Sequence, residues 1–282
     1  MELAHSTGEL NAQLAKAREA GLKVALVPTM GALHKGHLSL VTRALQDGYF
    51  VVVSIFVNPK QFTNDADLAD YPRTLGVDAR LLTDAGVDLL FAPSNSDVYP
   101  PGVTLKQPEA SEIANLFEGE YRPSHFDGML LVVNRLFDLV NPSAAYFGEK
   151  DFQQLVLVRN MVKAQIRSGE REPLKIVACE TVRDEHGLAL SSRNIRIKPE
   201  HLEAARSLNR ALAAGVKAGP SAETMIAVAK EQLDPITRLE YLELVSEDSF
   251  EVLDQAKPGA RLIIAAWVGE VRLIDNLMIG EA

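Results

Sequence analysis

Apolar positions along the chain fall into two kinds of run, and the two kinds alternate. Residues 24–27 (Val-Ala-Leu-Val) and 50–57 are almost continuously apolar, as strands buried on both faces of a parallel sheet should be. Between them, apolar residues from Leu38 to Leu45 recur at helical spacing, predicting a helix over 36–46. Ahead of this unit, Ser6-x-x-Glu9 reads as a capping box opening a helix that ends near Gly21. Asn58-Pro59 ends the second strand, and a polar loop runs through Tyr71-Pro72. A helix over 75–85 and a strand over 88–92 follow. A βαβαβ order with short connections predicts an α/β fold, a Rossmann-like doubly wound parallel sheet.

Further on, 93–108 is rich in Pro, Ser and Asn and reads as loop, and 111–118 as a short helix. Asp127 is the expected cap of a helix running to Val140, whose Leu130, Val133, Phe137 and Val140 share a face. Asn141-Pro142 stops it. A strand over 144–147, a helix to about residue 166 and a strand over 175–182 complete this part, and Asp184 to Gly187 is a turn. Beyond Asn194 the pattern changes. Two helices (199–216 and 221–233) precede period-2 alternation over 238–244, and two apolar runs flank Gly269-Glu270, a pair suited to a type II′ hairpin. The expectation is therefore two domains, 1–182 and a smaller α+β C-terminal domain, 183–282.

The densest chemistry sits where the first strand hands over to a helix. Pro28-Thr29-Met30-Gly31-Ala32-Leu33-His34-Lys35-Gly36-His37 brings two imidazoles and two glycines to a helix N-terminus at a strand's carboxyl end. Ligands of open α/β sheets bind there, and helix N-termini favour anions. Gly31 and Gly36 admit backbone close to a phosphate, and each histidine offers a hydrogen bond or a charge to a developing oxyanion.

Three further clusters lie in loops. Asn58 and Gln61, after the central strand, are neutral groups suited to holding a carboxylate and hydroxyls. Gly148-Glu149-Lys150-Asp151 combines a close-approach glycine with a point charge ahead of a helix. Ser191-Ser192-Arg193 places two hydroxyls beside a forked guanidinium, a good triphosphate clamp. The formal net charge of −9 argues against a nucleic-acid surface, so an anionic ligand must be met by local convergence of His34, His37, Lys150 and Arg193. No Cys/His cage for a metal is evident. The one cysteine, Cys179, sits in an apolar run, and no stretch resembles a signal peptide or a membrane span, which fits a cytoplasmic protein.

His34-Lys35-Gly36-His37 resembles the His-x-Gly-His signature of the nucleotidyl-transferring α/β superfamily. The longer strings, Pro-Thr-Met-Gly-Ala-Leu-His-x-Gly-His, Asn58-Pro-x-Gln61-Phe, Phe147-Gly-Glu-Lys-Asp-x-Gln-Gln-Leu and Gly187-Leu-Ala-x-Ser-Ser-Arg-Asn194, are similar to the pantothenate synthetase (pantoate–β-alanine ligase) family. The resemblance implies that Met30, Gly31, Ala32, Leu33, His34, Lys35, Gly36 and His37 line an ATP site. Gly148 to Asp151, Val182, Leu190, Ser191, Ser192 and Arg193 would belong to the same site. His37 would be a proton donor, with His34, Lys150 and Arg193 also catalytic. Asn58, Gln61, Gln154 and His125 would serve pantoate, or His125 the partner of a homodimer. The reaction implied joins pantoate and β-alanine through a pantoyl adenylate, with magnesium accompanying ATP and the small domain as a lid. Other readings are a nucleotidyltransferase acting on a phosphorylated alcohol and a non-catalytic nucleotide sensor. One departure stands out: Ser124 occupies a loop position (Arg122-Pro-Ser-His-Phe-x-Gly128) where the family carries glycine, and Leu131 stands where it tends to carry Thr.

Overall fold

A computed structural model describes residues 1–280. Six strands, β1 (Glu2–Ala4), β2 (Val24–Thr29), β3 (Phe50–Ile55), β4 (Leu89–Phe91), β5 (Ala144–Gly148) and β6 (Lys175–Cys179), form one parallel sheet in the order β1-β4-β3-β2-β5-β6. Its helices are α1 (Thr7–Glu19), α2 (Lys35–Gln46), α3 (Asp65–Ala69), α4 (Leu75–Asp84), α5 (Asn95–Val98), α6 (Glu118–Tyr121), α7 (His125–Val140) and α8 (Phe152–Ser168). The expected doubly wound parallel sheet is therefore present. Its central strands are sealed: Ala25, Leu26, Val27, Val51, Val52 and Val53 have no exposure.

The order of strands puts a topological switch between β2 and β5. From β2 the chain winds through β3 to β4, then returns to the other flank of β2 as β5. β2 pairs with β3 over six residues but with β5 only at Ala25–Ala144 and Leu26–Ala145. Past those two pairs the strands part, so the sheet opens at its carboxyl end, where ligands of this architecture lodge.

The chain divides into two compact units, Met1–Glu149 with Leu157–Cys179, and Lys150–Val156 with Glu180 onward. In the second, α9 (Leu202–Lys217) and α10 (Ala222–Glu231) pack on a three-stranded antiparallel sheet of β7 (Arg238–Val245), β8 (Arg261–Val268) and β9 (Val271–Met278). Val268 pairs with Val271 across Gly269-Glu270, and Gly269 has φ +60°, as a type II′ turn requires of its first residue. A bulge between Leu239 and Tyr241 interrupts the alternation of β7. Glu240 there accepts from Trp267 and, at 2.7 Å, from Arg272.

Several sequence expectations shift in detail. The capping box is present as read: Ser6 accepts from the Glu9 amide, and the Glu9 carboxylate accepts from His5 and Ser6, which lowers its pKa. The N-terminal β1 carries no periodic signal, because three residues are too few to show alternation. α3 and α5 lie in stretches read as loop; α5 is announced only by its own Ser94–Asp97 capping box. Of the helix expected over 111–118 only a 3₁₀ turn, Glu112–Asn115, forms; the chain then turns at Phe117, at φ +44°, and α6 begins at Glu118. β6 stops at Cys179 instead of 182, since Val182 accepts instead from the Leu190 amide, in a separate short ladder.

Asp127 does not cap α7. The cap is Ser124, in the left-handed conformation (φ 64°, ψ −1°) with no side-chain cap bond, and Asp127 lies in the helix's first turn. A left-handed L-residue costs roughly 1–2 kcal/mol, which glycine avoids at the expense of a floppier unfolded chain. Ser124→Gly is accordingly expected to stabilise the first unit by about 0.5–1 kcal/mol, read as a thermal midpoint raised by roughly 2 °C; an unchanged or lowered midpoint would contradict this account.

Candidate active site

The loop after β2 is held from below. Thr29 donates its hydroxyl to the Ser54 carbonyl (2.7 Å) and accepts the Gly31 amide (3.2 Å). The next two amides, Ala32 and Leu33, donate to the two oxygens of Asp78 at 3.0 and 2.9 Å. Gly31 (φ +85°) and Ala32 (φ +51°) are successive positive-φ residues, and this kink delivers His34 to the start of α2.

At that start the two histidines cap each other's turn. Nδ1 of His34 accepts from the Gly36 amide (3.1 Å), and Nδ1 of His37 accepts from the His34 amide (3.3 Å). Their ring centroids lie 4.1 Å apart. An imidazole whose Nδ1 accepts from a backbone N–H carries its proton on Nε2 and is neutral. Each ring is thus a donor through Nε2, the form that hydrogen-bonds a phosphate oxygen without adding charge. The helix N-terminus is capped by His34 itself, so α2 offers an anion less bare backbone than the sequence suggests.

The second cluster is a buried amide pair. Asn58, 1 % exposed, uses all four of its hydrogen-bonding positions on protein. Its oxygen accepts from the Tyr99 hydroxyl (2.7 Å) and the Lys60 amide (3.2 Å), and its nitrogen donates to Gln61 Oε1 and the Gly128 carbonyl, both at 3.0 Å. Burial raises the Tyr99 pKa above the usual phenol range, which keeps it a donor. Asn58 therefore sets the orientation of the Gln61 side chain, whose nitrogen lies 2.9 Å from the Met30 sulfur. That contact joins this cluster to the loop after β2. His125 donates from Nδ1 to the Gln61 carbonyl (2.7 Å), and Arg122 lies 3.2 Å from its Nε2.

Gly148 ends β5 across the switch, and Glu149 follows it. The remaining predicted residues, Lys150, Asp151, Gln154, Val182, Leu190, Ser191, Ser192 and Arg193, belong to the second unit. There, Lys150 Nζ lies 3.8 Å from Asp151, and its carbonyl accepts from Asn276 (3.1 Å). Arg261 donates to the Asn276 oxygen (2.8 Å), so strand β9 supports the backbone at Lys150. Val182 and Leu190 flank a turn in which Asp184 accepts from the His186 and Leu188 amides. Ser191 accepts from the Arg193 amide (3.3 Å), capping the turn that carries Ser192 and Arg193.

Asp78 and Tyr99 were not singled out in the sequence, and Thr29 stood there only as part of the Pro28–His37 string. Asp78 did leave a signal: it sits four residues before Leu82, and both are buried, so a carboxylate occupies the apolar face of α4. Tyr99 left none, lying in a Pro/Ser/Asn-rich stretch. Among the described residues no group of three or more His, Cys, Asp or Glu is placed to hold a metal ion, and no helix is long and apolar enough to cross a membrane.

The family model described as pantoate–beta-alanine ligase matches residues 2–278. The chain belongs to this family. A pantothenate synthetase of a Nocardioides species is 47% identical, over 98% of this chain and 84% of that protein. The crystal structure of pantothenate synthetase from Thermus thermophilus superposes with a TM-score of 0.91 at 44% identity, covering 99% of both chains. The pantoate–beta-alanine ligase from Francisella tularensis, complexed with beta-gamma ATP and beta-alanine, gives a TM-score of 0.81 at 36% identity, over 99% of this chain and 97% of that one.

A Cβ on Gly128 would lie 2.0 Å from the Lys60 carbonyl oxygen and 2.7 Å from the Gln61 nitrogen, backbone that cannot swing aside. Gly128→Ala is expected to cost about 3 kcal/mol in urea unfolding and to displace Gln61; a cost below about 1 kcal/mol would show that α7 and the 59–61 turn are not locked together. Burial raises the Cys179 pKa to about 11, so its thiolate is scarce at neutral pH. Alkylation by iodoacetamide at pH 8 is expected to run about a hundredfold slower than for an ordinary thiol and to accelerate tenfold per pH unit up to about 11.

Proposed function

We propose that the chain condenses pantoate with β-alanine at the expense of ATP, through a pantoyl adenylate, releasing pyrophosphate and then AMP. The observation that carries the reading is the Met30–Gln61 contact. It sets a loop suited to phosphate beside a buried, uncharged amide pocket suited to a hydroxy acid.

In the first step the pantoate carboxylate attacks the α-phosphorus, and both partners are anions. Holding the carboxylate with neutral amides (Gln61, fixed by Asn58, and Gln154) leaves it nucleophilic, whereas a cation there would quench it. His34 and His37, neutral donors through Nε2, stabilise charge growing on the phosphate oxygens without binding the ground state too tightly. Lys150, Arg193, Ser191 and Ser192 meet the polyphosphate, and Val182 and Leu190 lie by the adenine. Gly148, Glu149 and Asp151 complete the ATP contacts, alongside Met30 to His37. His125, with both ring nitrogens directed at protein groups, serves pantoate by fixing the backbone at Gln61. Magnesium enters as part of MgATP, carried by phosphate oxygens.

In the second step β-alanine attacks the activated carbonyl. Its ammonium has a pKa of about 10, so at pH 7 only about one molecule in a thousand is nucleophilic and a proton must be lost on the way. The adenylate is sensitive to water, which is the reason for proposing a lid role for residues 183–282. Family membership supports extending the proposal to a homodimer in the cytoplasm.

Pyrophosphate–ATP isotope exchange, with magnesium and pantoate present and β-alanine absent, tests the reading. Exchange that depends on pantoate is expected, with AMP released once β-alanine is added. A folded, ATP-binding sample without exchange at any pantoate concentration would overturn it and favour nucleotidyl transfer to a phosphorylated alcohol. His37→Ala is expected to slow exchange about 10²- to 10³-fold, the usual loss for one oxyanion donor, while the fold persists.

A further inference from the structure

We propose that Asp78 is the positioning residue for the ATP half of the reaction, holding the loop that presents His34 and His37; the inference rests on the ligase reading above. Three consecutive backbone donors, Gly31, Ala32 and Leu33, converge below the loop. Their acceptors are all internal: Thr29 Oγ1 at 3.2 Å, Asp78 Oδ2 at 3.0 Å and Asp78 Oδ1 at 2.9 Å. Successive N–H groups around positive-φ residues form the kind of concavity that cradles anions in phosphate-binding loops. Here the protein's own carboxylate fills it. Asp78 is 1 % exposed, comes from the first turn of α4, and has its Oδ2 fixed by the Thr74 hydroxyl at 3.1 Å.

The consequence for nucleotide binding is specific. The Gly31 amide is taken up by Thr29 and those of Ala32 and Leu33 by Asp78, so the phosphates are left to the imidazoles and to residues 34–37. Asp78 also stabilises a conformation that Ala32, at φ +51°, disfavours by itself. A side chain at Gly31 would press on this contact, since its Cβ would lie 3.2 Å from Asp78 Oδ2. The histidines cap α2 through Nδ1 only if the chain enters the helix at the angle this anchor sets.

The sign of the effect separates this role from simple electrostatics. A carboxylate beneath a site for a polyanion repels its ligand, so if charge alone mattered, Asp78→Asn would tighten MgATP binding. As an anchor, asparagine fails: its oxygen accepts one amide, but its NH₂ opposes the other. Asp78→Asn is therefore expected to lower kcat/KM for MgATP in pyrophosphate exchange about 10- to 100-fold, the usual range for residues that orient a site's contacting groups. Pantoate affinity, measured by calorimetry, is expected to stay within about twofold, because the Asn58–Gln61 pocket has its own supports. Unchanged or improved MgATP kinetics would overturn the proposal. If Asp78→Asn loses both substrates together with its thermal transition, Thr74→Val decides: it removes only the hydroxyl from Oδ2. A smaller loss confined to MgATP then supports the anchor, and kinetics like the wild type refute it. The wild type is run alongside. If it shows no pantoate-dependent exchange, the ligase reading fails, while MgATP titrations of both variants still decide the role of Asp78.

Discussion

Everything in the first unit follows from the parting of β2 and β5. Two strands joined by only two pairs, Ala25–Ala144 and Leu26–Ala145, separate three residues before β2 ends at Thr29 and β5 at Gly148. A parallel sheet cannot close that gap, because β2 is held by β3 along its whole length while β5 is held by β6. The opening is thus a product of strand order, and the loops carrying Met30 to His37 and Gly148 to Glu149 leave from its two sides. The chemistry is placed by the backbone before any side chain is chosen.

The loops that follow β2 and β3 carry a set of polar groups that mostly hold one another. Asn58 orients Gln61, His125 holds the Gln61 backbone, Thr29 and Asp78 hold the loop, and each histidine caps the turn on which the other stands. Few of these groups are left loose. Such mutual restraint lowers the cost of ordering the site when a ligand arrives, at the expense of backbone strain at Ala32. The strain is tolerated because the hydrogen bonds beneath the loop outnumber the residues that resist it.

The sheet was legible in the sequence because its strands are buried on both faces, so Val24 to Val27 and Val51 to Val53 show as continuous apolar runs between amphipathic helices. The candidate residues drew notice for a different reason. His34 and His37 stand at the start of α2, and Lys150 and Arg193 in short helical turns, all only partly buried, where packing does not call for such side chains. The misreadings came from places where short-range chemistry competes with pattern. Asp127 looked like a cap, but the chain enters α7 through a left-handed Ser124, a conformation that side-chain preference does not advertise. Asp78 drew no notice in the sequence, though its spacing from Leu82 put it on the inward face of α4. Tyr99 and the three-residue β1 acquire their roles only from partners distant in the chain, Asn58 and β4, and no local pattern encodes those.

The saturation of Asn58 has a consequence for anyone seeking to block the proposed pantoate pocket with a small molecule. Its four hydrogen-bonding positions are occupied by Tyr99, Lys60, Gln61 and Gly128, so a polar substituent aimed at it would have to break an existing bond to gain a new one. To an inhibitor, Asn58 is a shaped wall rather than a hook. Affinity there comes from fit and from polar anchorage on Gln61, whose contact with the soft sulfur of Met30 is the weakest bond in the cluster and the one most easily exchanged.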